Sequence, residues 1–557
     1  MSPARTPDAV VLETFRHLFA ALAEEMGAAL RRAAFSPNIK ERRDYSCALF
    51  SPDGTAVALG DHMPVHLGAM PMSVEAALTE LGTLAPGDVA VLNDPFRGGT
   101  HLPDITAIAA VHGSPELPGD DASSEPPSGR LLGYVAARAH HSDVGGSTPG
   151  SMPLAREIYQ EGIRIPPIRL YARGRRNEDA WRLVLANVRT PAERGGDLDA
   201  QLAALHAGRQ RLKDLVRRKG ADAVLRAMDE LVAYADRLVE SGIRRIPAGR
   251  YEAHDVLDDD GFGSGEVPLH VALEVREGRL VVDFAGTSPQ VPGGVNAVAA
   301  ITASATRYVV RCVVEALIGE SLPAGGGSMS AMELRLPPGS IVNARLPASV
   351  AAGNVETSQR ITDVLLRAFA RALPERIPAL SQGTMNNTTV GGVDPRTSEV
   401  FAYYETVGGG MGAGPTGPGL SGVHTHMSNS LNTPVEALEH AYPFRVTHYS
   451  IRRGSGGTGL HRGGDGLRRD IMLLTDARVT LLCERRLRGP AGAHGGSDGA
   501  PGQNVLLRGG REERLPGKVT FQARAGEVVS IRSPGGGGWG APTNRPDEGD
   551  PPRDPAQ

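Results

Sequence analysis

YSCALFSPDGTAVAL, residues 45–59, reads as two short apolar strands, 45–50 and 55–59, turned back on each other at Pro52-Asp53-Gly54. Asp-Gly supplies the backbone freedom that a tight hairpin needs. Just upstream, residues 8–34 put Val11, Phe15, Leu18, Phe19, Leu22 and Met26 on one stripe, which predicts a long amphipathic helix. A helix followed at once by a hairpin points to an α+β chain. Further out, 89–92 and 105–111 read as short strands bracketing a glycine loop. Residues 113–129, GSPELPGDDASSEPPSG, have almost nothing to bury and read as a surface excursion between two strands. Helix returns over 198–241 in two segments, with Gly220 at the break. Strands are expected at 269–275 and 280–284 around Arg276-Glu277-Gly278-Arg279, then at 471–474, 479–483, 505–507 and 528–531 among glycine turns.

The 557 residues suffice for several cores. The expected division is an N-terminal α/β region over 1–245, a central mixed region over 246–445, a small β-rich module over 446–541 and a disordered tail over 542–557. A net charge of −4, from 59 basic and 63 acidic residues, gives no field of one sign, so neither nucleic acid nor an anionic membrane is implied as a partner. Cys47, Cys312 and Cys483 are isolated, which supports neither a disulfide framework nor a thiolate zinc site. The charged residues Arg5, Asp8, Glu13 and Arg16 interrupt any signal-peptide core, and no apolar run reaches membrane-spanning length, so a cytoplasmic protein is expected.

Three segments are crowded with metal-ligand residue types: SPNIKERRDYSCALF (36–50), NDPFRGGTHLPD (93–104) and HHSDVGG (140–146). An ion that activates water or a carbonyl needs a few imidazoles and carboxylates converging while one position stays open. His101 and Asp104 flank Leu102-Pro103, and in a non-helical turn they can aim at one point. With no thiolate in the set, Mn, Fe or Zn is favoured over a sulfur-bound metal. On spacing alone another reading stays open, in which Asp94 and Asp104 cap turns and His101, His140 and His141 are hydrogen-bonded beside glycine loops. Arg42, Arg43 and Arg97 could grip a phosphate or carboxylate, or serve as ordinary ion pairs. Asp258-Asp259-Asp260-Gly261 lacks the ligand spacing of a calcium loop and reads as a turn. No G-x-x-x-x-G-K-[ST] occurs, and the four lysines, Lys40, Lys213, Lys219 and Lys518, lie in no glycine loop, so ATP-dependent chemistry would require a second polypeptide or a missing domain.

The runs SPNIKERRDYSCALF, GDVAVLNDPFRGGTHLPDI, HHSDVGGSTPGSM and REIYQEGIRIPP resemble signature segments of the hydantoinase B/oxoprolinase family. Later segments agree: VDFAGTSPQVPGGVNA (282–297), SQGTMNN (381–387), ETVGGGMGA (405–413), GVHTHMSNSLNTPVE (422–436) and PGGGGWG (534–540). That family comprises B subunits of ATP-dependent hydantoinases, the C-terminal half of 5-oxoprolinases, and homologous subunits of acetone and acetophenone carboxylases. The resemblance implies a divalent metal on Glu41, His101, Asp104 and one of His140 and His141, with Asp44, Asp94 and Asp143 as supporting carboxylates. It implies substrate or partner contacts at His424 and His426, near Asn429 and Asn432, although core hydrogen bonding would equally explain them. It also implies a hydantoinase A-like ATPase partner that carries the ATP, and hence a hetero-oligomer.

The expected activity is ATP-dependent hydrolysis of a cyclic amide. The partner phosphorylates the carbonyl oxygen, and the metal region of this chain opens the ring, with whichever of His140 and His141 does not bind metal moving a proton, assisted by Asp143. Amide resonance makes an unstrained lactam a poor electrophile, which is why ATP is needed. The rivals are a ketone carboxylase subunit and a non-catalytic scaffold for the ATPase.

Overall fold

The structure, a computed structural model, describes residues 9–60, 62–113 and 129–542. Nearly all of the expected surface excursion (114–128) and of the expected tail (543–557) lies outside the described residues. The opening helix is Ala9–Ala33, and its stripe of Phe15, Phe19, Leu22, Met26 and Leu30 is buried. The hairpin follows as Tyr45–Phe50 and Ala56–Leu59, paired antiparallel.

That hairpin is one edge of a seven-stranded sheet in the order Ala56–Leu59, Tyr45–Phe50, Leu131–His140, Asp104–His112, Val89–Leu92, Ile168–Ala172, Arg175–Arg176. Every neighbouring pair is antiparallel. Alternate side chains leave a strand on opposite faces, and here both faces are covered. Cys47, Leu49, Val135 and Ala137 share a core with Phe19, Met26, Ala204 and Leu212. Ala48, Phe50, Tyr134 and Ala136 pack instead with Met70, Val74 and Ala77 of the helix Met70–Leu81. The helix expected over 198–241 is longer at its start. It runs as Pro191–Lys219 and Ala221–Ile243, broken where Gly220 takes φ +85°.

A second, four-stranded sheet has the order Met332–Arg335, Arg279–Asp283, Val267–Arg276, Gly249–Leu257. Its outer pair, Arg279–Asp283 with Met332–Arg335, is parallel. The helix Ser358–Ala372 packs on it and against Ala299–Ile318. The expected β runs near the C-terminus fall in two further sheets. Ala477–Leu482 and Lys518–Ala523 join Asn387–Val393 and Val400–Glu405, while Gly466–Leu473, Val528–Arg532 and Gln503–Arg508 lie between Phe444–Arg452 and Arg511–Leu515. The two sheets share a core that includes Val390, Phe401, Tyr403, Phe444, Ile471, Leu481 and Ile531.

A buried charge network ties this sandwich to the second sheet. Arg360 bonds Asp363 (2.9 Å), Glu484 (3.3 Å) and Asp255 (3.5 Å), and Arg485 bonds Asp255 at 3.0 Å. Removing one member would leave its partners as uncompensated buried charges, the costly case for ion pairs. The molecule is thus mixed helix and sheet with four sheets among the described residues. None of its described helices is long and apolar enough to cross a membrane.

Candidate metal centre

The loop after Val89–Leu92 is locked by its own sequence. Asn93 donates to the carbonyls of Leu102 (2.7 Å) and Ile163 (3.0 Å) and accepts from Ile165 N at 2.6 Å. Asp94 caps the turn Pro95–Arg97 by accepting from Phe96 N at 3.0 Å. Gly98 follows at φ +83°, where a Cβ would lie 2.4 Å from the Met72 carbonyl oxygen, so only glycine lets the chain pass. The loop delivers His101 and then Asp104, the first residue of Asp104–His112. Asp104 pairs in register with His140, the last residue of Leu131–His140.

One donor atom from each of His101, Asp104 and His140 lies within 4.8 Å of the others, and all three residues are buried. Asp104 Oδ1 is 3.1 Å from His101 Nε2 and 3.2 Å from His140 Nδ1, and those two nitrogens are 3.2 Å apart. The other carboxylate oxygen accepts from Thr100 Oγ1 at 2.7 Å and lies 3.4 Å from His66 Nε2. Burial opposes ionisation of Asp104, but the imidazoles of His101 and His66 hold its carboxyl well below the usual range. Burial lowers the pKa of His140. His101 Nδ1 faces the carbonyl of Ala351 at 3.3 Å. A proton placed there leaves the Nε2 lone pair aimed at Asp104 and His140, the tautomer a backbone carbonyl imposes on metal-ligating histidines.

This donor set suits a borderline divalent cation. It offers two imidazole nitrogens and a carboxylate oxygen without thiolate. Their mutual spacing is what ligands take when each sits about 2.0–2.2 Å from one ion. Three protein donors leave coordination positions open, as a reactive rather than a structural site requires.

The other anticipated residues take different positions. His141 points to the opposite side, with Nε2 3.0 Å from Gln201 Oε1, and Gln201 in turn donates to the carbonyls of Ile105 and Ala137 (both 2.9 Å). Burial pushes the His141 pKa down to about 4. Asp143 is buried beside Arg189 (2.9 Å) and accepts from Gly145 N and Arg189 N, both at 3.0 Å, which shapes the turn after the strand. Glu41 is half-buried at the end of Pro37–Lys40 and does not belong to the converging group. Asp44 is buried, and its carbonyl accepts from His140 N at 3.0 Å.

The arginines divide. Arg97 pairs with Glu80 at 3.0 Å near the surface, and Arg43 is exposed at φ +58°. Arg42 is fully buried: it bonds Tyr404 O (2.9 Å) and Thr406 Oγ1 (2.7 Å), and its guanidinium lies 4.9 Å from the Tyr404 ring centre. Asp94 lies 3.4 Å from Arg164. His424 and His426 are half-buried imidazoles whose pKa values desolvation pushes down to about 3 and about 4. Their Nδ1 atoms face Ser428 Oγ (2.8 Å) and Tyr308 Oη (3.4 Å). Asn429 donates to His62 O at 3.1 Å and Asn432 to Thr406 O at 2.8 Å.

Sequence reasoning missed the residues that surround the three donors. Tyr404 stacks on His140, with ring centres 4.4 Å apart at 17°, and its hydroxyl donates to Asn387 Oδ1 at 3.0 Å. A turn of π-helix over Gly353–Thr357 brings Asn354 Nδ2 to 3.0 Å from His101 Nε2 and Glu356 Oε1 to 2.7 Å from Asn387 Nδ2. Such turns recur at functional sites because the extra residue re-aims side chains. Glu161 accepts from Ser349 Oγ, Val350 N (2.7 Å) and Ala351 N (3.0 Å), which fixes the carbonyl that meets His101. Burial pushes both Glu161 and Glu356 up to about 7. Glu161 lies within the quoted segment REIYQEGIRIPP and Tyr404 next to ETVGGGMGA, so position in the signature segments was the available signal.

A sequence profile described as Hydantoinase B/oxoprolinase matches residues 8–542. The chain belongs to this family. The hydantoinase B/oxoprolinase chain is 37% identical to an uncharacterized protein of Methanocaldococcus jannaschii, over 97% of this chain and 92% of that one. It is 39% identical to 5-oxoprolinase 1 of Arabidopsis thaliana, over 96% of this chain but only 42% of the plant protein's length. The crystal structure of the ATP-dependent caprolactamase from Pseudomonas jessenii superposes with a TM-score of 0.87 at 29% identity, covering 98% of this chain and 93% of that one.

Proposed function

We propose that this hydantoinase B/oxoprolinase chain is the ring-opening subunit of an ATP-dependent cyclic-amide hydrolase. A separate hydantoinase A-like ATPase would phosphorylate the amide carbonyl oxygen. The observation that carries this reading is the buried convergence of His101 Nε2, Asp104 Oδ1 and His140 Nδ1 within a chain similar to a caprolactamase and to part of a 5-oxoprolinase. His101, Asp104 and His140 would hold a divalent ion, manganese, zinc or iron, with Glu41 as a further donor if its half-buried side chain swings inward. When bound, such an ion supplies Lewis-acid polarisation and a nucleophilic water at neutral pH.

The chain's own groups do the rest. Tyr404 covers one face of His140 and keeps bulk water away from it. Asn354 Nδ2, beside His101, is an amide donor that can orient a substrate oxygen without changing charge. Arg42, behind Tyr404, is saturated by protein acceptors and acts as a brace for the wall. His140 Nε2 has no hydrogen-bond partner among the described residues and is kept as the outward edge of a ligand, not as a proton carrier. His141, engaged with Gln201, is assigned to holding the strand against Pro191–Lys219.

The test is turnover by the chain co-purified with its ATPase partner. The complex should hydrolyse ATP and open at least one of 5-oxoproline, caprolactam and a hydantoin, and His101→Ala should abolish ring opening while the complex still assembles. Bicarbonate-dependent consumption of acetone in place of ring opening would make it a carboxylase. Full turnover in His101→Ala would leave the chain a scaffold.

A further inference from the structure

A cavity of about 560 Å³ lies between the helices Met70–Leu81 and Ala299–Ile318, closed below by the first hairpin and the glycine loop 324–329. Only a thin wall separates it from the candidate metal centre. Pro64 and Gly68 line the cavity, while His66 between them reaches within 3.4 Å of Asp104 Oδ2. Tyr308, also on the wall, has its hydroxyl 3.4 Å from His426 Nδ1.

Charged side chains line the cavity, and two of them are already committed. Asp53 is held in its own turn, accepting from Thr55 N at 3.1 Å and from Ser51 Oγ. Arg311 pairs with Glu315 at 3.0 Å and donates to Leu322 O at 2.9 Å. The other two are Arg307 and Glu75. Arg307 is half-buried, and its one hydrogen bond among the described residues goes to Gly68 O at 3.2 Å. Glu75 stands on the exposed rim. Neither forms an ion pair among the described residues, although Glu75 is the carboxylate whose charge offsets the burial that lowers Arg307. A half-buried guanidinium that lines a cavity with most of its donors unused by protein can take an anion in a charge-assisted, bidentate contact.

Hydrolysis of a lactam adds water across the C–N bond: the carbonyl carbon becomes a carboxylate and the released nitrogen takes up a proton. The product carries one charge of each sign, in the same complement as the free pair. Opening a hydantoin leaves a neutral carbamoyl nitrogen, which gives Glu75 no cation to meet. We propose that this cavity binds a zwitterionic amino acid, the ring-opened product of a lactam, with its carboxylate on Arg307 and its ammonium on Glu75. The assignment rests on the cyclic-amide reading above and narrows it to lactams.

Calorimetric binding of 6-aminohexanoate and L-glutamate to the full chain tests this, with hexanoate and hexylamine as single-charge controls. At least one amino acid should bind saturably, and the controls should bind about tenfold more weakly or worse, as loss of a charge-assisted contact predicts. Arg307→Met and Glu75→Gln should each weaken binding by about tenfold or more. Glu75 is exposed, so its substitution keeps the test valid even if Arg307→Met fails to fold. Absence of binding by both amino acids, full affinity in either folded variant, or equal affinity for a control would overturn the proposal. Turnover by the complex is a separate readout. Lactam turnover without amino-acid binding sinks the cavity assignment alone, and amino-acid binding without any ring opening sinks the catalytic reading alone.

Discussion

Replacing Glu356 by glutamine should flatten the pH dependence of this protein's stability. Glu356 is fully buried; Oε1 accepts from Met385 N at 3.0 Å and Asn387 Nδ2 at 2.7 Å, and the Thr384 hydroxyl is its next polar neighbour. Burial raises its pKa from 4.5 to about 7, against hydrogen bonds that pull it down, with Glu484 adding repulsion. Between those two values the folded state holds a proton that the unfolded chain has lost. Stability is therefore greatest below the lower value and falls as pH rises toward the upper one. Linkage makes the ionised side chain cost about 3 kcal/mol once both states are deprotonated, of which roughly 2–3 kcal/mol develops between about pH 5 and about pH 8. Glutamine keeps the acceptor toward Met385 and Asn387 and has no proton to lose in this range. Thermal unfolding of both proteins at about pH 5 and about pH 8 should show the variant gaining relative to wild type at the higher pH. Parallel pH profiles for the two would refute the reasoning.

Two further outcomes follow from the geometry. His140→Ala should lose the bound metal, whereas His141→Ala should keep it and lose only about 1–3 kcal/mol of stability by stranding Gln201; elemental analysis and thermal unfolding of both variants separate these effects. Gly98→Ala should destabilise the loop by about 1–2 kcal/mol from its positive φ alone, and by more because Met72 O must move, read as a lowered unfolding midpoint and weakened metal binding.

The strands at 45–50 and 89–92 were legible because short apolar runs are bounded there by turn residues. Leu131–His140, the strand that delivers His140, was legible only as the unbounded strand beyond the excursion at 113–129. Its LLGYVAARAH is rich in alanine and poor in β-branched residues, and its strand character comes from being covered on both faces. Ala299–Ile318 hid for the opposite reason, since its valines, isoleucines and threonines suit a strand and only packing makes it helical. His101 and Asp104 could be paired from sequence because a short turn joins them. Which of His140 and His141 stands beside His101 and Asp104 could not be read without the register Asp104↔His140. Asn354, Glu356 and Tyr404 arrive from parts of the chain more than 200 residues away, and no local pattern announces such a meeting.

The proposed ring-opening role requires His101, Asp104 and His140 to share one divalent ion. Anomalous X-ray diffraction from crystals grown with manganese or zinc tests it most directly. A single strong peak should appear bounded by His101 Nε2, Asp104 Oδ1 and His140 Nδ1, and be absent from Asp104→Ala crystals of the same fold. A peak that persists in that variant, or none at these atoms in the wild-type protein, would contradict it.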